Sequence, residues 1–178
     1  MTLKMYDLAA ADPTIRFSPN CWRVRMALAH KGLDVETIAW RFTDKEVISF
    51  SQQGKTPVLV DGDRWIVDSW SIAEYLDEAR PDTPKLFECA QSKAHVLFVK
   101  NWIETVVNPG IAKQIIVPLF DMLDEQDKVY FRATREKAFG MTLETFGSDA
   151  AAALAILRKT LQPLRATLMS QPFLGGEA

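Results

Sequence analysis

"SPNCWRVRMALAHKG", residues 18–32, carries within one segment the signals for the start, the body and the end of an amphipathic helix. Ser18 is a residue type that caps helices, and Pro19 suits the first helical position, where no backbone N–H is needed. Gly32, directly after a lysine, is a typical stop. The apolar positions recur at helical spacing: Cys21, Val24, Ala27 and Leu28. The stretch therefore predicts a helix of about three to four turns.

Strand patterns stand on both sides of this helix. Residues 2–8, "TLKMYDL", and residues 33–40, "LDVETIAW", alternate apolar and polar residues as half-buried strands do. Residues 43–52 form a weaker, polar stretch that has helical character and ends at "QQGK". A strand, a helix and a second strand in this order favour a parallel strand pair.

A hairpin and a second helix complete the first half. In "TPVLVDGDRWIVDS", residues 56–69, two short apolar runs flank "DGD", which is a tight-turn signal. Asp68 or Ser69 can cap the following helix, "SWSIAEYLDEA", which Pro81 helps to end. The first half therefore predicts a small mixed four-stranded sheet with helices on its faces.

The second half is predicted to be entirely helical. Apolar residues recur at helical spacing from residue 88 onward, and breaks are expected at Pro109-Gly110 and Pro118. Asp124 and Ser148 are the expected starts of the later helices. We place a first domain at 1–80, a linker at 81–87 and an all-helical domain at 88–178.

The composition excludes several classes of protein. The 178 residues are 48% hydrophobic and 25% charged, and 21 basic against 23 acidic residues leave a net charge of -2, without a basic block for nucleic acid. No leader pattern or long apolar run is seen, so no membrane partner and a cytoplasmic location are expected. Two cysteines without ligand spacing predict neither a disulfide framework nor a metal site.

Three motifs of the first half together resemble the thioredoxin-like domain of the glutathione transferases. They are the serine before "WRVRMALAHKGL", then "GKTPVLVDGD", then "DSWSIAEYLDE". In the second half, "QDKVYFRATREKAFGMTLE" is similar to the branch that contains the bacterial β-etherases of lignin breakdown and related fungal transferases. The resemblance implies a glutathione co-substrate and a homodimer. Family members usually continue with further helices after "FLGGEA", so the helical domain is expected to be incomplete.

The resemblance also implies which residues bind glutathione. Pro57 matches the family's cis-proline, and Thr56 before it is expected to pair through its backbone with the cysteinyl unit. Asp68 and Ser69 match the acidic-serine pair that holds the γ-glutamyl end. Lys55 is placed to meet the glycyl carboxylate. Each residue alone has an ordinary structural explanation, as a strand-start proline, a helix cap or a solvated turn residue.

Ser18 is by resemblance the active-site residue, which donates a hydrogen bond to the glutathione sulfur. By its position alone it is a helix cap, and the two roles share one geometry, because a helix N-terminus stabilises anions. Asn20 could supply a second donor. Tyr6 on the first strand is an alternative to the serine, and Cys21 in the first turn would instead indicate thiol transfer through a mixed disulfide.

The resemblance predicts that a hydrophobic, aromatic electrophile binds as second substrate, with β-aryl ethers as one class. A few apolar residues of the helical half are candidate lining for it, although most of that stripe is expected in the core: Phe98, Trp102, Val106, Ile115 and Phe120. Arg41 is a second candidate for the glycyl carboxylate. The alternative from another class is a non-catalytic glutathione-binding or regulatory protein on the same fold.

Overall fold

Four short strands form one mixed sheet in the first half of the chain. The structure is a computed structural model that describes residues 2–176. The strand order is β2-β1-β3-β4, with β1 parallel to β2 and antiparallel to β3, and β3 antiparallel to β4. The strands are β1 Leu3–Leu8, β2 Val35–Trp40, β3 Val58–Asp61 and β4 Arg64–Val67. The predicted four-stranded mixed sheet is confirmed, and with it the hairpin.

Two helices begin at the residues that the sequence indicated. Helix α1 spans Pro19–His30 with Ser18 as its N-cap, and α2 spans Ser69–Ala79 with Asp68 as its N-cap. Gly32 follows α1 with φ +65°, a left-handed conformation that glycine adopts without a Cβ penalty. The stretch predicted as weakly helical is the 3-10 helix Lys45–Ser51.

The core of this half lies against the sheet in two clusters. The central strand β1 contributes to both, because its alternate side chains point to opposite faces. Full burial of a large aliphatic side chain stabilises a fold by about 1.5–3 kcal/mol, so these clusters supply much of the driving force. The first cluster is Leu3, Met5, Val24, Ala27, Leu28, Leu59, Ile72 and Leu76. The second is Leu8, Cys21, Trp40, Ile48 and Val58.

Helices make up most of the second half, as predicted. None of the described helices has the length and apolar character needed to cross a membrane. A π-helical segment, Ile103–Val107, separates the first two helices. The helices are α3 Ala90–Trp102, α4 Asn108–Asp121, α5 Glu125–Phe139, α6 Leu143–Gly147, α7 Ala150–Thr160 and α8 Gln162–Ser170.

Two predicted helix boundaries in this half are wrong. Pro118 lies inside α4 and does not end it. The proline is exposed, so its ring meets no neighbouring element, and it removes one backbone hydrogen bond without stopping the helix. Ser148 does not open a helix: its hydroxyl donates to the Thr145 carbonyl at 2.8 Å behind α6, and Asp149 precedes α7.

The chain forms two compact units. The first extends to Ser92 and also includes Met122–Phe131, and the second contains Lys93–Asp121 and continues from Arg132. The boundaries predicted from sequence, 1–80 and 88–178 around a linker, remain predictions, because compactness in space does not define independently folding segments of the chain.

A buried ion pair joins the end of α1 to α2. Lys31 is only 3% exposed, and its Nζ donates to Asp77 Oδ1 at 2.7 Å and to the Pro84 carbonyl at 2.9 Å. Asp77 also accepts from the backbone N–H groups of Leu86 and Phe87 at 2.9 Å. Burial by itself raises the pKa of Asp77, but these amides and Lys31 outweigh it and lower that pKa.

Replacing Asp77 by asparagine should destabilise the protein by about 3 kcal/mol, because the buried Lys31 ammonium loses its counter-charge. The lowered pKa means that the carboxylate contributes stability above the unfolded-state pKa of about 4, and that this stability is lost as the pH falls further. Urea unfolding at several pH values measures both effects. The neighbouring exposed Glu78→Gln is the control, and equal stability of the two variants would contradict the assigned role.

Candidate functional site

Ser18 caps α1 through the oxygen of its side chain. The residue is 6% exposed, and its Oγ accepts a hydrogen bond from the Cys21 backbone N–H at 3.3 Å. A hydroxyl has one proton and two lone pairs, so the O–H can still donate, and the Cys21 thiol is within its reach. The predicted cap is confirmed, and its geometry is compatible with donation to an anion at the helix N-terminus.

Cys21 connects Ser18 with the segment around Pro57. Burial raises the pKa of the Cys21 thiol, which is 0% exposed, while interactions with the side chains of Ser18 and Thr56 act in the opposite direction. The Thr56–Pro57 peptide bond is cis, as the resemblance predicted. The structure thus brings Ser18 and Thr56 to the same thiol. A buried thiol with a raised pKa is a poor nucleophile, which argues against thiol transfer by Cys21.

Asp68 and Ser69 form the start of α2. Asp68 has φ +69°, and its Oδ1 accepts from the backbone N–H groups of Trp70 at 3.0 Å and Ser71 at 3.1 Å. Ser69 is 3% exposed. The sequence left open which of the two residues caps the helix, and the structure assigns the cap to Asp68.

Arg23 links the first turns of the two helices, and the sequence did not single it out. Its Nη1 donates to Ser69 Oγ at 2.7 Å and to Asn20 Oδ1 at 3.3 Å. Asn20 lies one turn before Arg23, which the spacing could have indicated. The contact with Ser69 depends on how α1 packs against α2, which no local pattern encodes. Arg23 therefore brings the region of Ser18 and Asn20 together with that of Asp68 and Ser69.

The other charged and aromatic candidates differ in their surroundings. Lys55 is exposed, and its carbonyl accepts from the Gln53 side chain at 3.0 Å. The Arg41 guanidinium donates to the Ala11 carbonyl at 3.0 Å and lies 3.3 Å from an Asp124 oxygen, so its position is set by structural contacts. Tyr6 is half-buried and packs against the second core cluster, which accounts for it as a structural residue.

The side chains proposed to line an acceptor site are not core residues. Phe98 is 73% exposed, Val106 46% and Ile115 45%, and Trp102 and Phe120 are half-buried. The expectation that most of this stripe is buried is wrong. The buried positions of these helices are instead Val107 and Ile116.

The start of the stretch similar to the etherase branch, "QDKVYF", has a structural role. The buried Asp127 accepts hydrogen bonds from the backbone N–H groups of Phe42 at 3.0 Å and Thr43 at 2.9 Å. Its own N–H donates to Asp124 Oδ1 at 2.9 Å, so Asp124 opens α5 as predicted. Asp127 thereby fixes the loop after β2 to α5, a contact that the sequence did not indicate.

Comparison with protein families agrees with this architecture. The model for the glutathione S-transferase N-terminal domain matches residues 13–84, and that for the glutathione S-transferase C-terminal domain matches residues 94–178. Together they extend over both halves described above. The chain therefore belongs to the glutathione S-transferase superfamily.

The individual relatives include a plant glutathione S-transferase and a mammalian isomerase. Glutathione S-transferase Z2 of Arabidopsis thaliana is 35% identical over 109 residues, which are 58% of this chain and 47% of that protein. Mouse (Mus musculus) maleylacetoacetate isomerase is 33% identical over 112 residues, or 56% of this chain and 51% of that protein. The chain spans about half the length of the curated relatives it matches.

A solved structure matches the entire chain. It is a glutathione S-transferase of Ceriporiopsis subvermispora in complex with glutathione, with a TM-score of 0.85 and 25% identity. The match covers 100% of this chain and 79% of that one.

The two cysteines should react very differently with a maleimide. Cys89 is exposed, and the Ser92 backbone N–H lowers the pKa of its thiol, whereas Cys21 is buried and its pKa is raised. In the native protein Cys89 should react on the order of 100-fold or more faster than Cys21, and Cys21 should react fully after unfolding. Mass spectrometry of wild type and Cys89→Ser measures this. Rapid labelling of native Cys89→Ser would contradict the assignment of Cys21 as an inert core thiol.

Proposed function

We propose that this protein is a glutathione-dependent transferase in which Ser18 stabilises the glutathione thiolate. The observation that carries the proposal is the buried Ser18 hydroxyl at the N-terminus of α1, with its oxygen accepting from the Cys21 N–H. Its proton would turn from the neutral Cys21 thiol to the glutathione sulfur, because an anion is the better acceptor. A hydroxyl donor and a helix N-terminus both favour an anion over its protonated form. The bound sulfur is then a nucleophile near neutral pH.

The residues around Ser18 suit the three parts of glutathione. Asp68 and Ser69 at the start of α2 suit the charged γ-glutamyl end, and the backbone of Thr56 before the cis-proline Pro57 suits the cysteinyl unit. The exposed Lys55 suits the glycyl carboxylate. The complex of the Ceriporiopsis subvermispora relative with glutathione supports this choice of co-substrate.

Asn20 is proposed as the second donor to the sulfur. Its carbonyl oxygen accepts from Arg23 at 3.3 Å, which orients the amide and leaves its NH2 group as the free end. Two donors at one helix N-terminus would hold the thiolate during attack. Asn20 and Ser18 are therefore the proposed catalytic residues.

The reaction that follows is nucleophilic displacement at an electrophilic carbon. The thiolate forms a C–S bond, the bond from that carbon to its leaving group breaks, and the leaving group takes the electron pair. With a β-aryl ether the leaving group would be a phenolate, and the similarity of "QDKVYFRATREKAFGMTLE" to the etherase branch supports testing that class. The proposed second substrate is a small hydrophobic electrophile, and the proposed assembly is a homodimer.

Glutathione-dependent isomerisation is a second candidate activity. The named mouse relative, a maleylacetoacetate isomerase at 33% identity, favours it. It would use the same activated thiolate, added to a double bond and later expelled. A non-catalytic glutathione-binding protein would retain the binding residues and lack turnover with either substrate type.

Replacing Ser18 by alanine should lower turnover with chlorodinitrobenzene by about a hundredfold, as loss of a single anion-stabilising donor does in other enzymes. Glutathione affinity should stay within a few fold, because the remaining contacts are unchanged. Initial-rate kinetics and calorimetry measure the two quantities.

The matched control is Thr142→Ala, which removes another helix N-cap, at α6, without touching the site. It should lower stability by about 1 kcal/mol and leave turnover unchanged. Unchanged turnover in Ser18→Ala would contradict the catalytic assignment, and glutathione binding by wild type without turnover would favour the binding protein.

A further inference from the structure

Arg23, in the second turn of α1, is joined to the start of α2 by a side-chain hydrogen bond. The Arg23 guanidinium donates a hydrogen bond to Ser69 Oγ at 2.7 Å, and Arg23 is half-buried. The 2.7 Å distance is short for a hydrogen bond from a nitrogen, as is typical of a charged donor. Arg23 therefore fixes the orientation of Ser69 as well as its position.

The direction of this hydrogen bond determines what Ser69 can offer a ligand. A guanidinium only donates, so Ser69 Oγ is the acceptor and its O–H proton points elsewhere. Ser69 is 3% exposed, which makes an unused donor costly unless it finds a partner. The Arg23 guanidinium, hydrogen-bonded to the Ser69 oxygen, polarises the hydroxyl and makes it a stronger donor. The N-terminus of α2 adds an electric field that favours an anion.

Asp68 supplies the opposite charge beside this donor. Both hydrogen bonds that its side chain accepts within residues 2–176 fall on Oδ1, which leaves Oδ2 for a cation. A cation-polarised hydroxyl next to a carboxylate matches a ligand that carries a carboxylate and an ammonium on one carbon. That combination is the α-amino acid end of the γ-glutamyl residue.

We propose that Arg23 is a positioning residue that makes the site specific for the α-carboxylate of this γ-glutamyl end, acting through the Ser69 hydroxyl. The inference rests on the proposed binding of glutathione. Arg23 orients Ser69 as a donor, Ser69 binds the carboxylate, and Asp68 binds the ammonium.

Calorimetry with glutathione and with an analogue that has 4-aminobutyrate in place of the γ-glutamyl residue tests the proposal, because this analogue lacks only the α-carboxylate. Arg23→Met should bind glutathione at least about tenfold more weakly than wild type does, the loss expected for one hydrogen bond to a charged group. It should bind the analogue as wild type does. Arg23→Lys, which keeps the charge, should recover part of the affinity for glutathione.

The Ser69→Ala variant shows whether Arg23 acts through Ser69. The double variant Arg23→Met with Ser69→Ala should lose no more affinity for glutathione than the more affected single variant, since both changes remove the same contact. The exposed Arg158→Met, on α7, controls for the loss of one positive charge. Thermal melts establish that each variant is folded, and if Arg23→Met is not, Arg23→Lys and Ser69→Ala are compared with the same two ligands.

The outcomes separate the two proposals. If wild type binds glutathione and Arg23→Met weakens the binding of glutathione and of the analogue equally, Arg23 is only structural and the inference is wrong. If wild type binds neither ligand, the proposed function fails, and the inference falls with it. A loss of affinity in Arg23→Met that is confined to glutathione, the ligand with the α-carboxylate, supports both proposals.

Discussion

The side-by-side packing of α1 and α2 in the same direction is the constraint on which the candidate site depends. Residues of both helices share the first core cluster, and two polar contacts show their direction: Arg23 with Ser69 near the helix starts and Lys31 with Asp77 near the helix ends. Because both pairs join corresponding ends, the two N-termini lie at the same end of the pair. Each N-terminus carries about half a positive charge, so the packing concentrates two such charges in one region.

The chemistry of the site follows from how the helix starts are satisfied. Ser18 and Ser69 each accept a hydrogen bond from within the protein, one from a backbone amide and one from a guanidinium. With one lone pair of each oxygen occupied, the proton of each hydroxyl can be donated to a bound anion. A buried, oriented donor needs no reorganisation when an anion binds, which is how a protein stabilises a thiolate better than water does. The fold supplies this arrangement, while the identity of the second substrate depends on other residues.

The sequence predicted those parts of the structure that local signals determine. Three such features depend only on neighbouring residues, and the structure contains all of them: the cap Ser18 with Pro19, the turn at Gly62 and the start of α2. Ser148 was a wrong start because a serine hydroxyl can also donate to a carbonyl group of the preceding helix, as Ser148 does to that of Thr145.

Contacts between distant segments could not be predicted from one sequence. In the sequence, Arg23 and Lys31 look like ordinary basic residues of an amphipathic helix. Only the packing of α1 on α2 shows that each has a specific partner. Asp127 lies in the first turn of α5, where an acidic residue is common, and nothing in the sequence indicates that it binds a loop 84 residues earlier in the chain. In each case the energy comes from burial of a charged group beside its partner, which depends on tertiary structure.

An ultraviolet difference titration of bound glutathione tests the central claim most directly. Thiolate absorbance is followed from acid to mildly alkaline pH, with the same protein bound to S-methylglutathione subtracted to remove the contributions of Cys21 and Cys89. A free cysteine thiol titrates at about 8.5, and a hydroxyl donor at a helix N-terminus should bring the bound thiol to between about 6.5 and 7.5. A bound thiol that titrates at the free value would contradict the account and reduce Ser18 to a helix cap.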